Sequence, residues 1–487
     1  MGLPRPATVD EKRKLRYNIP IMSRATIAQP KRASKKKKPA GKQVRTYRSA
    51  VRYLDSLTNN ERISRARYTA SNFSLARTTR LLGALHKPQD DFRSVHIAGT
   101  KGKGSTATMV AAMLHACGIK VGLYTSPHVL DIRERIAIDG RMISENAFAK
   151  AVASVSQIVE KARVSNPTYF EVLTAAAFKH FSDNDVELAV VETGLGGRLD
   201  ATNVLTPDVV GLTSMSIDHT AQLGNDIASI TREKAAIMKT GVPVISAPQD
   251  PKVASLLREL AAEAESPLRF SNENVDFSYR FEFSRSAGRH ARICMTTPTS
   301  RFEHLKVPLY GAHQAANCCL ALNIIDQLKN HGFPIDDVAA KQGLSEVRLL
   351  GRMDMINENP RILVDGAHNA ASIDALMRAV GQHIPYDSMI VIFGCQKDKD
   401  IPGMMNRLRV GADKVIFVSS GSIRSADPHE LSAHYNEISG KMSQVAGSLE
   451  DAITIATSAI TSEDLICITG SFYLVAEAMR KFSQNPL

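Results

Sequence analysis

The sequence predicts an α/β protein with two domains, each built on a parallel β-sheet that helices cover. The chain has 487 residues, which is too long for one ordinary core. Apolar segments with the pattern of buried strands alternate with helical segments in two separate stretches. We therefore expect a tail at residues 1–45, a larger domain at 46–346 and a smaller domain at 347–487.

The composition indicates a soluble globular protein, with 44% hydrophobic and 23% charged residues. The apolar runs stay shorter than the roughly 18 residues of a membrane span, and the charged N-terminus lacks the apolar stretch of a signal peptide. The six cysteines form no CxxC pair and lie mostly in apolar stretches. This pattern favours buried free thiols over a metal site. We expect a cytoplasmic monomer with no membrane partner and no redox cofactor.

The net charge of +12 belongs to the N-terminal tail. Residues 1–48 carry 15 Lys and Arg against two acids, whereas the other 439 residues carry 46 basic and 47 acidic side chains. Residues 35–38 are four lysines between prolines, which is typical of a disordered segment. The tail could be a tether to nucleic acid or an anionic surface, a transit peptide, or a solvated segment without a partner. The lack of aromatic residues within the lysine run favours the last interpretation.

The elements of the larger domain begin with a helix at Tyr47, because apolar residues recur from there at steps of three and four. A short apolar strand at 94–98 precedes a glycine-rich turn and a helix that ends near Ala116. Further buried strands are predicted at 186–191, 209–213 and 242–246. Residues 277–307 alternate apolar and polar side chains around a turn and predict an antiparallel β-hairpin.

The smaller domain repeats the alternation of strands and helices. Its predicted strands are 361–364, 389–393, 414–418 and 465–469. We place a hinge at residues 346–352, between the two alternating units.

The strongest chemical signal is the segment Gly-Thr-Lys-Gly-Lys-Gly-Ser at residues 99–105, between a strand and a helix. Glycines let the backbone wrap around phosphate, and amide groups at the start of a helix point at the anion. Lys103 can reach the β- and γ-phosphates, and Ser105 can contact phosphate or metal. The common P-loop pattern has Ser or Thr directly after Lys, so the intervening Gly104 makes this loop a variant. A glycine-rich turn with incidental lysines is the alternative, which the strand–loop–helix context disfavours.

This variant loop resembles that of the Mur ligase superfamily, and the chain resembles its folylpolyglutamate synthase and dihydrofolate synthase members. The likeness runs in order from about Tyr47 to the C-terminus. The matching segments are HIAGTKGKGS (96–105), YTSPHVLDIRERI (124–136), FEVLTAAAF (170–178), VETGLGGRLDATN (191–203), SIDHTAQLG (216–224), REKAAIMK (232–239), LYGAHQAAN (309–317), GRMD (351–354), VDGAHN (364–369), DKD (398–400) and GSFYLVAE (470–477).

The resemblance implies an N-terminal P-loop, Mur-ligase-like ATPase domain and a smaller C-terminal Rossmann-like α/β domain, with ATP in the cleft between them. It also implies a ligase that uses ATP and magnesium to join L-glutamate to dihydropteroate, to the γ-carboxylate of reduced folates, or to both. Such chemistry needs an acyl phosphate, because a carboxylate at neutral pH has no good leaving group. We prefer the bifunctional interpretation, although the motifs report the shared ATP chemistry and do not separate the two activities.

The resemblance also assigns site residues, each of which has a structural alternative. One magnesium ion would be held by Ser126, Glu192 and His219, and a second by a carbamylated Lys234. Asn317 would contact adenine and Arg352 the phosphates, while Asp365 and His368 would close the ATP and glutamate site. Nucleotide binding would thus fall to Gly102, Lys103, Gly104, Ser105, Asn317, Arg352 and Asp365, and catalysis to Lys103, Lys234, Arg352 and His368. The alternatives are a turn serine, a structural histidine, an exposed lysine paired with an acid such as Glu233, and an acidic turn.

Two departures and two rival functions accompany the resemblance. Leu349 and Leu350 stand where many relatives have Trp-Pro, and Lys101 replaces a commoner Asn. One rival is another Mur-type amide ligase acting on a cell-wall precursor, which the segment at 124–136 disfavours. The other is a nucleic-acid-binding P-loop ATPase, which the near-neutral body disfavours.

Overall fold

The computed structural model describes residues 44–59, 73–218, 220–284, 288–422 and 424–484, which lie within the compact unit Gln43–Leu487. Residues 1–43 of the predicted tail are outside the described residues. Val44 is buried, so the folded core begins slightly before the predicted end of the tail at residue 45. Among the described residues, no helix is both long enough and apolar enough to cross a membrane.

Eight strands form the first sheet. They are β1 (Arg93–Ala98), β2 (Val121–Tyr124), β3 (Ile136–Ile138), β4 (Arg141–Met142), β5 (Leu188–Glu192), β6 (Val209–Leu212), β7 (Val244–Ser246) and β8 (Leu268–Phe270). Their order is β4-β3-β2-β5-β1-β6-β7-β8. Six neighbouring strands run parallel, namely β2, β5, β1, β6, β7 and β8. β3 and β4 pair antiparallel at one edge. The strands predicted from apolar runs are confirmed, because every residue of β5 and β6 is buried, as in a sheet covered on both faces.

Helices cover both faces of this sheet. They are α1 (Tyr47–Asp55), α2 (Leu75–Ala84), α3 (Lys103–Ala116), α4 (Glu145–Lys161), α5 (Tyr169–Ser182), α6 (Thr220–Leu223), α7 (Ile227–Ala235), α8 (Pro251–Glu263), α9 (Ala312–Asn330) and α10 (Asp337–Ser345). α3, α9 and α10 share one core with an added three-stranded sheet, and α1, α4 and α5 pack on the opposite face. The predicted helix from Tyr47 and the helix ending at Ala116 are both present.

The added sheet consists of β9 (Asp276–Ser284), β10 (Gly288–Thr296) and β11 (Arg301–Val307). β9 and β10 form the predicted antiparallel hairpin. β11 pairs antiparallel with β10 and makes the hairpin a three-stranded sheet, which the sequence pattern did not predict.

Six strands form the sheet of the C-terminal half. They are β12 (Asp354–Glu358), β13 (Arg361–Asp365), β14 (Met389–Phe393), β15 (Lys414–Phe417), β16 (Gln444–Val445) and β17 (Leu465–Thr469). Their order is β12-β13-β17-β14-β15-β16, parallel except for the edge strand β12. The helices are α11 (Ala370–His383), α12 (Ile401–Gly411), α13 (Pro428–Ser439), α14 (Leu449–Thr457) and α15 (Phe472–Gln484). Separate apolar clusters lie on the two faces of this sheet, which helices cover as predicted.

A short connection at residues 346–353 joins α10 to β12, where we predicted the hinge. The division of the chain at residues 346 and 347 stays a prediction. The six cysteines are free, and four of them are buried, as expected; Cys117 and Cys294 are partly exposed.

Candidate active site

The predicted phosphate-binding loop, residues 99–105, is shaped by its glycines and by the residues beneath it. Gly99 has φ +145°, and a Cβ atom there would lie 1.9 Å from the Thr213 hydroxyl oxygen. Gly102 has φ +86° and is the N-cap of α3, so no side chain at that position caps the helix. Lys103 begins α3, Ser105 is buried in its first turn, and that turn contains no acid. The loop therefore presents helix amides and a cation at a position suited to an anion, and its binding of phosphate stays a prediction.

Glu192 and Ser126 lie together beside this loop, because β5 and β2 are parallel neighbours. The backbone N–H of Ser126 donates to Glu192 Oε2 at 2.9 Å, and Lys103 Nζ is 3.7 Å from Glu192 Oε1. Burial raises the pKa of Glu192, and the charge of Lys103 is the largest opposing effect. A buried carboxylate at this position is suited to a cation such as a metal ion.

The donor set fits magnesium in part. Carboxylate and hydroxyl oxygens are the ligands that this ion prefers, and Glu192 and Ser126 supply both types at one end of the sheet. His219, the third predicted ligand, lies outside the described residues. Within the described ranges, no group of three His, Cys, Asp or Glu side chains could hold a metal ion by itself.

Lys234 lies directly below the phosphate-binding loop, in the last turn of α7. It is 4% exposed, and its Nζ donates to the Gly99 carbonyl oxygen at 2.8 Å. Burial and then the nearby charge of Lys103 lower the pKa of Lys234 to about 7. The side chain therefore faces the site rather than solvent, and at neutral pH much of it is an uncharged amine.

Asn317 also meets the loop. It is buried on α9, and its Nδ2 donates to Gln314 Oε1 at 3.1 Å. A Cβ atom on Gly102 would lie 2.2 Å from Asn317 Oδ1, so this amide packs against the start of α3. The predicted contact with adenine stays a prediction.

Arg352 and Asp365 come from the C-terminal half. The Arg352 guanidinium lies over the Phe472 ring at 4.5 Å. Burial lowers the pKa of Arg352, and the charges of Asp365 and then Glu192 oppose that shift, so the arginine is near carboxylates of both halves. Asp365 ends β13 and accepts the N–H groups of Met353 and Ala367, both at 2.8 Å. Leu350 is half-exposed, and its replacement of the usual Pro leaves Arg352 in the site.

His368 reaches across the cleft to the phosphate-binding loop. Its Nδ1 is 2.7 Å from the Gly366 carbonyl oxygen and its Nε2 is 3.3 Å from Lys101 Nζ. Burial lowers the pKa of His368 well below its usual value, and the charges of Lys101 and Lys399 act in the same direction. The ring is therefore neutral, with Nδ1–H donating to the carbonyl and Nε2 accepting from the lysine.

Three residues that sequence reasoning left unassigned complete the cleft. Asp218 follows β6, Asn369 precedes α11, and Lys399 precedes α12. Asp218 contacts both of the others and also Lys101. The segments SIDHTAQLG, VDGAHN and DKD carry the three residues, but the sequence gives no sign that they meet.

Two models of Mur ligase domains match the chain. The Mur ligase middle domain matches residues 97–325, and the glutamate ligase domain matches residues 351–472. The Bacillus subtilis dihydrofolate synthase/folylpolyglutamate synthase is 31% identical over 420 residues, covering 84% of this chain and 94% of the relative. A Haloferax volcanii protein, described as a probable bifunctional folylpolyglutamate synthase/dihydropteroate synthase, is 34% identical over 402 residues. The match covers 82% of this chain, which spans about half (47%) of that relative.

Solved structures share the whole architecture. Mycobacterium tuberculosis folylpolyglutamate synthase complexed with ADP has a TM-score of 0.81 and 31% identity, covering 91% of this chain and 99% of that one. Escherichia coli FolC in complex with DHPP and ADP has a TM-score of 0.78 at 27% identity, with coverage of 90% and 98%. A bifunctional folylpolyglutamate synthase/dihydrofolate synthase from Yersinia pestis complexed with AMPPNP and Mn ion has a TM-score of 0.76 and 28% identity, covering 91% of this chain and 100% of that one.

Proposed function

Because the chain belongs to the dihydrofolate synthase/folylpolyglutamate synthase family of Mur ligases, we propose that it joins L-glutamate to dihydropteroate and to the γ-carboxylate of reduced folates, with conversion of ATP to ADP and phosphate. One observation carries the proposal: the phosphate-binding loop, Glu192 and Arg352 meet in a single cleft formed by both halves of the chain. Relatives bound to ADP and to DHPP support nucleotide and pterin substrates at such a cleft.

The reaction needs two chemical steps at this cleft. The folate or pteroate carboxylate attacks the γ-phosphate and releases ADP, and the amine of glutamate then attacks the acyl phosphate and releases inorganic phosphate. The helix amides and Lys103 hold the polyphosphate, and Arg352 neutralises charge from the opposite side. Placing the three reactants together supplies much of the rate enhancement.

Divalent metal would bind beside Glu192 and Ser126, with His219 as the third ligand. Magnesium bound there would shield the phosphate oxygens from the incoming carboxylate. Glu192 is already next to the first turn of α3, since a Cβ atom on Gly104 would lie 3.2 Å from its Oε2. The Mn ion in the Yersinia relative supports a divalent metal in this family.

Lys234 is proposed to hold a second ion as a carbamate. An uncharged amine adds CO2 and releases one proton, and a lysine with a pKa of about 7 has a substantial fraction in the reactive form at neutral pH. The product is an anion whose oxygens suit magnesium. The contact of Nζ with Gly99 places that group at the base of the phosphate-binding loop.

Partners outside this chemistry are not part of the proposal. We propose a cytoplasmic monomer that acts on small molecules and does not bind nucleic acid, since the residues beyond the tail carry nearly equal numbers of basic and acidic groups. The cell-wall-ligase alternative is tested by a UDP-sugar acid as acceptor.

Dihydropteroate and tetrahydrofolate should each support glutamate-dependent ADP release, and each should competitively inhibit ligation of the other. A single cleft cannot bind both at once. Initial rates with one acceptor fixed and the other varied would show a rising apparent KM at constant kcat. Activity with only one acceptor would make the enzyme monofunctional, and activity only with the UDP-sugar acid would refute the folate assignment.

A further inference from the structure

We propose that Asp218 is a positioning residue, whose carboxylate holds the C-terminal half of the site against the phosphate-binding loop through Lys101, Asn369 and Lys399. This inference rests on the proposed function for its kinetic test. It concerns residues to which neither the sequence motifs nor the proposed chemistry gives a role.

The carboxylate of Asp218 lies at the meeting point of three separate segments. Its Oδ2 is 2.7 Å from Lys101 Nζ in the phosphate-binding loop and 3.1 Å from Asn369 Nδ2 in the C-terminal half. Its Oδ1 is 3.8 Å from Lys399 Nζ, also in the C-terminal half. The Asp218 side chain is only 8% exposed, so these contacts are shielded from solvent.

Charge explains why a carboxylate is needed at this point. Lys101 and Lys399 approach from opposite sides of the cleft, and Lys103 is close enough to Lys101 for their charges to interact. Ammonium groups that meet in a poorly hydrated space repel one another. With Asp218 between them, the same lysines draw the two halves together.

Asn369 connects the Asp218 carboxylate to the start of helix α11. Its Oδ1 accepts the N–H of Ser372 and caps the helix, while its Nδ2 donates to Asp218. The amide thus uses one end for the helix and the other for the opposite half of the protein. His368, the preceding residue, accepts from Lys101, so the loop with the predicted glutamate-site histidine is fixed at two adjacent points.

Lys101 therefore has a different role from Lys103. Both belong to the phosphate-binding loop, but the ammonium group of Lys101 is held by Asp218 of its own half and lies against His368 across the cleft. We infer that Lys101 aligns the C-terminal half, whereas Lys103 binds phosphate. Loss of the Lys101–Asp218 pair should then impair use of glutamate more than binding of nucleotide.

The kinetic test compares Asp218→Asn, Lys101→Met and the double variant with the unchanged protein. We expect each single substitution to lower kcat/KM for glutamate about 10- to 100-fold, while the Kd for AMPPNP with magnesium changes less than about threefold. The double variant should lose no more kcat/KM than the more impaired of the two single variants, because both substitutions remove the same pair. Asp218→Glu should recover part of the loss.

The control is Asp208→Asn, at the opposite end of β6. Asp208 pairs with Arg93 and accepts the N–H of Ser94, so the substitution breaks a similar set of contacts away from the cleft. Its kinetic constants should stay within about twofold of the unchanged protein. Additive losses in the double variant, or weaker AMPPNP binding with an unchanged KM for glutamate, would overturn the proposal.

Amide hydrogen exchange tests the contacts of Asp218 with Lys101, Asn369 and Lys399, which we call the Asp218 clasp, without reference to ligation. The Ser372 N–H should exchange faster in Asp218→Asn than in Asp208→Asn, because a neutral side chain at position 218 holds the Asn369 amide less strongly than the carboxylate does. Equal exchange in the two variants would refute the positioning role. If Ser372 exchanges faster in Asp218→Asn but the unchanged protein shows no glutamate-dependent ADP release, the proposed function is refuted and the clasp stands.

Discussion

Replacing Lys103 with alanine should lower the rate of glutamate-dependent ADP release by a factor of about 10³ or more. Lys103 is the first residue of α3, and its ammonium group is 3.7 Å from Glu192, at the place where phosphate charge would accumulate. Alanine forms helix well, so the fold should survive the substitution. The measurement is coupled detection of ADP with saturating glutamate and acceptor.

Lys150→Ala is a suitable control for Lys103→Ala. Lys150 is an exposed lysine in α4, and its loss should change the rate less than about twofold. The melting temperatures of both variants should be close to that of the unchanged protein. Near-normal turnover by a folded Lys103→Ala protein would refute the assignment of the phosphate-binding loop.

Replacing Lys234 with alanine should also reduce ligation sharply, by about 10²-fold or more, because the variant cannot form the carbamate that would bind the second ion. Lys234→Met keeps most of the side-chain volume without the amine, so it should be as inactive as the alanine variant. Lys234→Glu should recover part of the activity by supplying a shorter carboxylate. Acetate in the buffer should partly rescue the alanine variant only.

The modification itself can be measured apart from activity. Protein kept in bicarbonate should gain the mass of one CO2 on the peptide that contains Lys234, and the Lys234→Met protein should not. Full activity of Lys234→Met would exclude a carbamate at this position. Activity loss without the mass increase would leave Lys234 as a support for the loop, through its contact with Gly99.

The central strands and the phosphate-binding loop could be predicted because their signals are local. β5 and β6 are short, mainly apolar runs, and the loop has glycines where positive φ angles and close contacts occur, as at Gly99 and Gly102. The edge strands β4 and β12 were missed for the opposite reason. Arg141–Met142 is too short for any periodicity, and Asp354–Glu358 is polar at both ends.

The pairing of Ser126 with Glu192 followed from the resemblance, and the structure shows its cause in the parallel strands β2 and β5. The Asp218 clasp was not predictable. Its carboxylate and the Asn369 amide are 151 residues apart, and neither position has a pattern that distinguishes it from an ordinary loop residue. Contacts of this kind come from the way the two halves meet, which no single segment determines.

The tight space at Gly99 limits how this chain can vary over generations. A larger residue there would need an unfavourable backbone angle and would also collide with Thr213, which lies behind the loop. Gly83 in α2 is a useful contrast, because a Cβ atom on it would meet no atom within 4 Å. In a library of variants selected for growth that depends on this enzyme, alanine should be accepted at residue 83, where it also favours the helix. It should be rejected at residue 99. The two glycines therefore differ in which substitutions they accept, because Gly83 is exposed on a helix whereas Gly99 lies against Thr213.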